Sequence, residues 1–75
     1  MAQVTNHIQA ETWLDRVFAS GEARMGGIVK REISDVERRA GREKFLAEVS
    51  RRGFQAVENN RHIVVFCNPM PVRRV

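Results

Sequence analysis

Four large apolar side chains, Trp13, Leu14, Val17 and Phe18, recur at helical spacing over residues 10–20, and Gly21 follows them as a stop signal. The spacing predicts an amphipathic helix whose stripe is simplest as core. An aromatic-rich N-terminal helix also offers a way for a small domain to form a homodimer. Gly26-Gly27 interrupts the pattern. The next segment, 28–33, is short and partly β-branched, which favours a strand. A helix continuing through Ala40 competes with that reading, because Val29, Ile33, Val36 and Ala40 are also spaced for one helical face.

Ser34-Asp35-Val36-Glu37 has the order of a capping box, in which the Ser34 hydroxyl accepts from the Glu37 amide and the Glu37 carboxylate reaches back to the Ser34 amide. A short helix is predicted from Ser34 to Gly41. A second helix follows over 42–52, with Phe45, Leu46 and Val49 on its inner face and Gly53 as its stop. On that helix Glu43, Lys44, Ala47, Ser50 and Arg51 fall outward.

The period then changes. Residues 54–58 and 61–67 flank Asn59-Asn60, and asparagine tolerates the positive φ that a two-residue hairpin turn requires. In that register Glu58 faces Arg61, while Phe54, Ala56, Ile63, Val65 and Cys67 share one face, expected to be buried. Pro69 and Pro71 end the ladder, leaving 72–75 as a short edge strand or a basic tail. The expected organisation is a flexible N-terminus over 1–9, one α+β domain over 10–67, and a Pro-containing basic segment over 68–75.

The element order is helix, strand, helix, glycine turn, helix and hairpin. That is the order of a small winged helix-turn-helix domain. Asp35-Val36-Glu37-Arg38-Arg39-Ala40-Gly41 resembles the Asp-Val-Ala-Arg-x-Ala-Gly run of bacterial helix-turn-helix repressors. The resemblance implies a winged-helix-like fold whose second helix enters the major groove with the hairpin as a wing beside it. It also implies a transcriptional or accessory regulator. A second resemblance covers 42–75: a helix ending in Arg51-Arg52-Gly53-Phe54, a strand, a polar turn, and a strand with His62 near its start resemble the HicA toxin family of small RNA-cleaving domains. That likeness implies a ribonuclease using His62 as general acid or base. A single strand histidine is more commonly a half-exposed sheet residue.

Charge gives the helix pair and hairpin a partner. The chain carries 13 Lys and Arg against 9 Asp and Glu, a net of +4. Residues 1–22 hold one Arg and three acids, so the basic excess lies in 23–75. A positive field of this kind concentrates polyanions, and nucleic acid is the expected partner, DNA in preference to RNA. Arg38, Arg39, Arg42, Lys44, Arg51, Arg52 and Arg61 are the candidate phosphate contacts, with Ala47 and Ser50 placed for base edges. The alternative from another class is an adaptor or inhibitor whose basic surface docks on an acidic protein patch.

Composition narrows the remaining classes. Hydrophobic content of 43% and charged content of 29% suit a globular domain without a membrane span. Nothing near Met1 reads as a secretory signal, so a cytoplasmic location is expected. One cysteine, Cys67, forms no internal disulfide, and no Cys/His spacing suggests zinc. Cys67 lies in an apolar run, as a buried inert thiol does. His7 precedes the first helix and needs no role. Gly26-Gly27 reads as a turn or hinge rather than a phosphate loop. Trp13 is a lone helix aromatic, and Phe54 with Phe66 is not the ring display of the common RNA-binding sheets. No enzyme chemistry, cofactor or metal is expected beyond the His62 alternative.

Overall fold

A computed structural model describes residues 7–75. The first helix, α1, spans His7–Phe18. It starts ahead of the predicted residue 10, so of the segment expected to be flexible only 1–6 lie outside the described residues. Leu14, Val17 and Phe18 are buried as the spacing requires, and Trp13 packs on the same core. Among the described side chains of α1, Leu14, Val17 and Phe18 are thus occupied inside the domain, with Trp13 partly buried against them.

Gly21 does not end the helical region. Ser20 caps a one-turn helix, α2 (Gly21–Arg24), its Oγ accepting from the Ala23 amide at 3.4 Å. Gly26, at φ +78°, then closes that turn in the left-handed region, its amide bonded to Ala23 O and the Gly27 amide to Glu22 O at 2.8 Å.

Strand β1 runs Ile28–Glu32, which settles 28–33 in favour of the strand. Its partner is the far end of the chain. The hairpin strands β2 (Gln55–Asn59) and β3 (His62–Phe66) are antiparallel, and β1 adds to β3, giving the sheet order β1-β3-β2. Below the sheet lie α3 (Ile33–Arg39) and α4 (Arg42–Arg51) together with α1. The shortest extent of the molecule is 18 Å, the depth of one helical layer on one sheet. The result is a small α+β domain with a three-stranded antiparallel sheet.

The capping box does not form. Helix α3 begins one residue earlier, at Ile33, and its N-cap, Glu32, makes no side-chain cap bond. The Ile33 amide instead donates to Arg61 O at 2.8 Å, continuing the β1–β3 pairing straight into the helix. Tertiary pairing overrides the local signal at this junction. Helix α4 ends as predicted, with the Gly53 amide on Ser50 O and the Phe54 amide on Val49 O, the paired bonds of a Schellman motif.

The hairpin turn lies one residue later than predicted. Asn59 pairs with His62 and Glu58 with Ile63, so the turn residues are Asn60 and Arg61. Only Asn60 has a positive φ, +56°, so the turn is not the double left-handed type I′. The expected Glu58–Arg61 pair is absent, and Glu58 bonds Arg42 instead. Each β2 residue meets a β3 partner two places on from the expected one. A shift of two keeps every side chain on its face, and Ile63, Val65 and Cys67 are accordingly buried, with Phe54 and Ala56 packed against them.

Phe45 and Val65, both with no exposed surface, join the two layers. The Phe45 ring lies 6.0 Å from Trp13 and 5.7 Å from Phe18, centroid to centroid. Residues 68–75 add no strand. The Asn68 side chain fixes their start by donating to Gly26 O at 2.9 Å and accepting from the Met70 amide. Among the described residues no helix is long and apolar enough to cross a membrane.

Candidate functional site

Helices α3 and α4 are separated by Ala40 and Gly41. Gly41 has φ +90°, and its amide donates to Val36 O at 2.9 Å. A residue with a side chain is strained in that conformation, so glycine here allows the tight reversal between the helices. Beyond it, Phe45 and Val49 anchor α4 to the core. Glu43, Leu46, Ala47, Ser50 and Arg51 are exposed. Four of these match the expected outer face. Leu46, expected inward, is instead 36% exposed at its margin, because the turn at Gly41 centres the buried stripe on Phe45, Val49 and the stem of Arg52.

Six of the seven candidate phosphate contacts have carboxylate partners. On α3, Asp35 holds Arg38 and lies 3.8 Å from Arg39. Arg42 bonds Glu58 of the hairpin. Lys44 lies 3.6 Å from Glu11 of α1. Arg51 donates to Glu48 through Nε at 3.1 Å and through its terminal nitrogen at 2.5 Å. Arg52 donates from Nε to Glu48 at 2.5 Å and lies 3.6 Å from Asp15. Arg61, in the exposed hairpin turn, has no ion-pair partner among the described residues.

Lys44, Ala47 and Arg51 also line one side of a groove of about 400 Å³ between α4 and α1, with Glu11 and Asp15 opposite. The acids of α1, distant in sequence, thus flank the basic helix. The Glu48 carboxyl is held below its usual range, chiefly by the Arg51 hydrogen bond, with burial opposing and Arg52 adding to the effect. The same hydrogen bond raises Arg51. Surface pairs of this kind contribute about 0–1 kcal/mol each, so a polyanion can displace them at small cost. Arg52 is the exception, with its guanidinium 4.9 Å over the Phe18 ring and its side chain only 27% exposed.

His62 lies in a cross-strand row with Glu32 and Asn59 on the outer face of the sheet. Cys67 is buried, and burial pushes its thiol pKa up, with Arg52 opposing weakly. Among the described residues no cluster of three or more His, Cys, Asp or Glu is placed to hold a metal ion. No family model, curated protein or solved structure matches the chain.

Proposed function

We propose that the chain is a small DNA-binding domain of winged helix-turn-helix type, acting as a transcriptional or accessory regulator. Helix α4 enters the major groove, α3 packs across it, and the β2–β3 hairpin is the wing. The observation that carries this reading is the exposed stripe of α4 after the Gly41 turn, in which two small side chains, Ala47 and Ser50, are central. Small residues there let the helix backbone approach base edges. Lys44 and Arg51 flank the stripe for phosphates, and Arg61 reaches out from the wing.

DNA is favoured over RNA because the outward rings of the sheet, Phe66 and the His62 imidazole, lie at opposite ends of β3 rather than as a paired display. Phe54 packs toward the helices, its ring 6.0 Å from that of Phe18. The row of His62 with Glu32 and Asn59 is assigned no chemistry.

The test is fluorescence polarisation of labelled random duplex and of RNA against the purified protein across a salt titration. The expected result is duplex binding whose logarithm falls linearly with log salt, at about 0.9 per phosphate neutralised. Binding that ignores salt, or absence of binding to both polymers at low salt, overturns the reading and leaves the acidic-protein adaptor.

A further inference from the structure

The outer face of the sheet, opposite the helices, is not accounted for by a DNA-binding role. The strand register sets three rows of side chains on it: Ile28–Phe66–Gln55, Lys30–Val64–Val57 and Glu32–His62–Asn59. The alternating residues Val29, Val65, Ala56 and Ile63 point into the core. Past His62, strand β3 is therefore apolar on both sides, the pattern of a strand covered twice, although the domain covers it once. Ile28 is 55% and Val57 40% exposed. Two more exposed hydrophobics, Met70 and Val72, follow in the segment that the Gln55 side chain holds by donating to Met70 O at 3.3 Å. A contiguous apolar patch on so small a domain marks an interaction surface.

We propose that this face pairs with a second copy of the chain across a two-fold axis parallel to β3. The arrangement of charge selects that occupant. Lys30 and Glu32 are the charged residues in the three rows, both on the edge strand β1, while the other edge strand presents Gln55, Val57 and Asn59. An axis along β3 lays β1 of one copy over β2 of the other. Lys30 then covers Val57 of the second copy with its aliphatic stem, Glu32 lies over Asn59, and Val64 and Phe66 meet their own counterparts. Lys30 and Glu32 meet no like charge, and His62 meets the His62 of the second copy. An acidic partner would meet Glu32 and a basic one Lys30.

The sheet face alone, roughly 14 by 16 Å from strand spacings and rise, is smaller than the ~800 Å² per partner of a standard interface. Met70 and Val72 extend it, and a weak, concentration-dependent dimer is expected. Its salt response opposes that of DNA binding, since screening relieves repulsion between two chains of net charge +4. The proposal does not depend on the DNA-binding reading.

Sedimentation velocity of the full chain over a concentration series, at low and high salt, tests it. Expected is a monomer–dimer equilibrium that tightens with salt. Val57→Lys, at an exposed edge position, brings a cation under Lys30 of the second copy and weakens association by about 100-fold or more, as an unpaired charge at a buried interface does. Val57→Glu meets that same lysine and retains a tighter dimer than Val57→Lys. Circular dichroism confirms that both variants fold, and Ile28→Lys provides an independent break. A wild-type chain that stays monomeric throughout overturns the proposal, as does a dimer that survives Val57→Lys and Ile28→Lys. If Val57→Glu is no better than Val57→Lys, the proposed axis is wrong.

Discussion

The Arg52 guanidinium lies 4.9 Å over the Phe18 ring, and its Nε donates to Glu48 at 2.5 Å. Two neighbouring arginines thus have different roles. Arg51 is exposed at the edge of the α4 stripe, whereas Arg52 ties α4 to α1 through Phe18 and Asp15. Arg52→Ala is expected to lower unfolding stability by about 1–2 kcal/mol, the scale of a partly desolvated cation–π contact with a charge-assisted hydrogen bond. Arg51→Ala, which loses only the exposed pair with Glu48, should lower the urea midpoint less than Arg52→Ala does and weaken DNA binding on every sequence. Equal midpoints for the two variants would remove the distinction.

Glu48 makes the stability sensitive to acid. Its carboxyl is held below its usual range in the folded protein, first by the Arg51 hydrogen bond and then by Arg52, against burial. The unfolded chain therefore takes up the proton first as pH falls. The contribution of Glu48 is fully present above the ordinary carboxylate pKa of about 4.3 and is lost as pH drops through the lower folded value. Urea midpoints measured from neutral pH down to about pH 3 should fall less steeply for Glu48→Gln than for the wild type. Parallel acid limbs would contradict the assignment.

Gly41→Ala and Phe45→Ala separate backbone strain from packing. At Gly41 an added Cβ meets nothing within 4 Å, so the penalty is that of the backbone conformation alone, φ +90° with ψ 143°, about 1–3 kcal/mol. Phe45 has no exposed surface and touches both Trp13 and Phe18, so its truncation should cost about 3–5 kcal/mol. Thermal unfolding of the two variants measures the difference. Gly41→Ala as damaging as Phe45→Ala would mean that the turn between the helices carries more than local strain.

These particular residues also mark how much was legible in the sequence. The α1 stripe, the two helices around Gly41 and the inward face of the hairpin follow from spacing and glycine placement, which act locally, whereas β1 was favoured by its β-branched residues against the helical spacing of Val29, Ile33, Val36 and Ala40. The hairpin frame was not legible, because a turn at Asn59-Asn60 and one at Asn60-Arg61 bury the same side chains. The capping box failed because the Ile33 amide is taken by Arg61, nearly thirty residues away. Helix α2 was missed because Gly21 reads as a stop, although Ser20 before it was a capping signal. The least legible feature was the pairing of the basic residues. Spacing along α3 and α4 allowed for Arg38 with Asp35 and Arg51 with Glu48. Arg42 with Glu58, Lys44 with Glu11 and Arg52 with Asp15 depend on the tertiary fold.

Ala47 and Arg61 provide the sharpest comparison for DNA binding, because neither is a core residue and they make different contributions. Ala47 is exposed in the middle of the α4 stripe, where a glutamate is compatible with the helix. Ala47→Glu should therefore stay folded, with a melting temperature lowered slightly by Glu11 and Asp15 across the groove, while losing duplex binding, since it sets a carboxylate between the helix and the phosphates and bases it would approach. Arg61 is exposed in the hairpin turn without an ion-pair partner among the described residues, so on the proposed reading it would contact phosphate without first giving up a carboxylate. Arg61→Ala should lower affinity by a similar factor on all sequences and reduce the salt slope by about 0.9. Duplex polarisation for the two variants, each with a salt series, measures both effects. A folded Ala47→Glu variant that binds as tightly as wild type excludes α4 as the groove element. An unchanged slope for Arg61→Ala would take the hairpin out of the interface and leave the helix pair alone on the DNA.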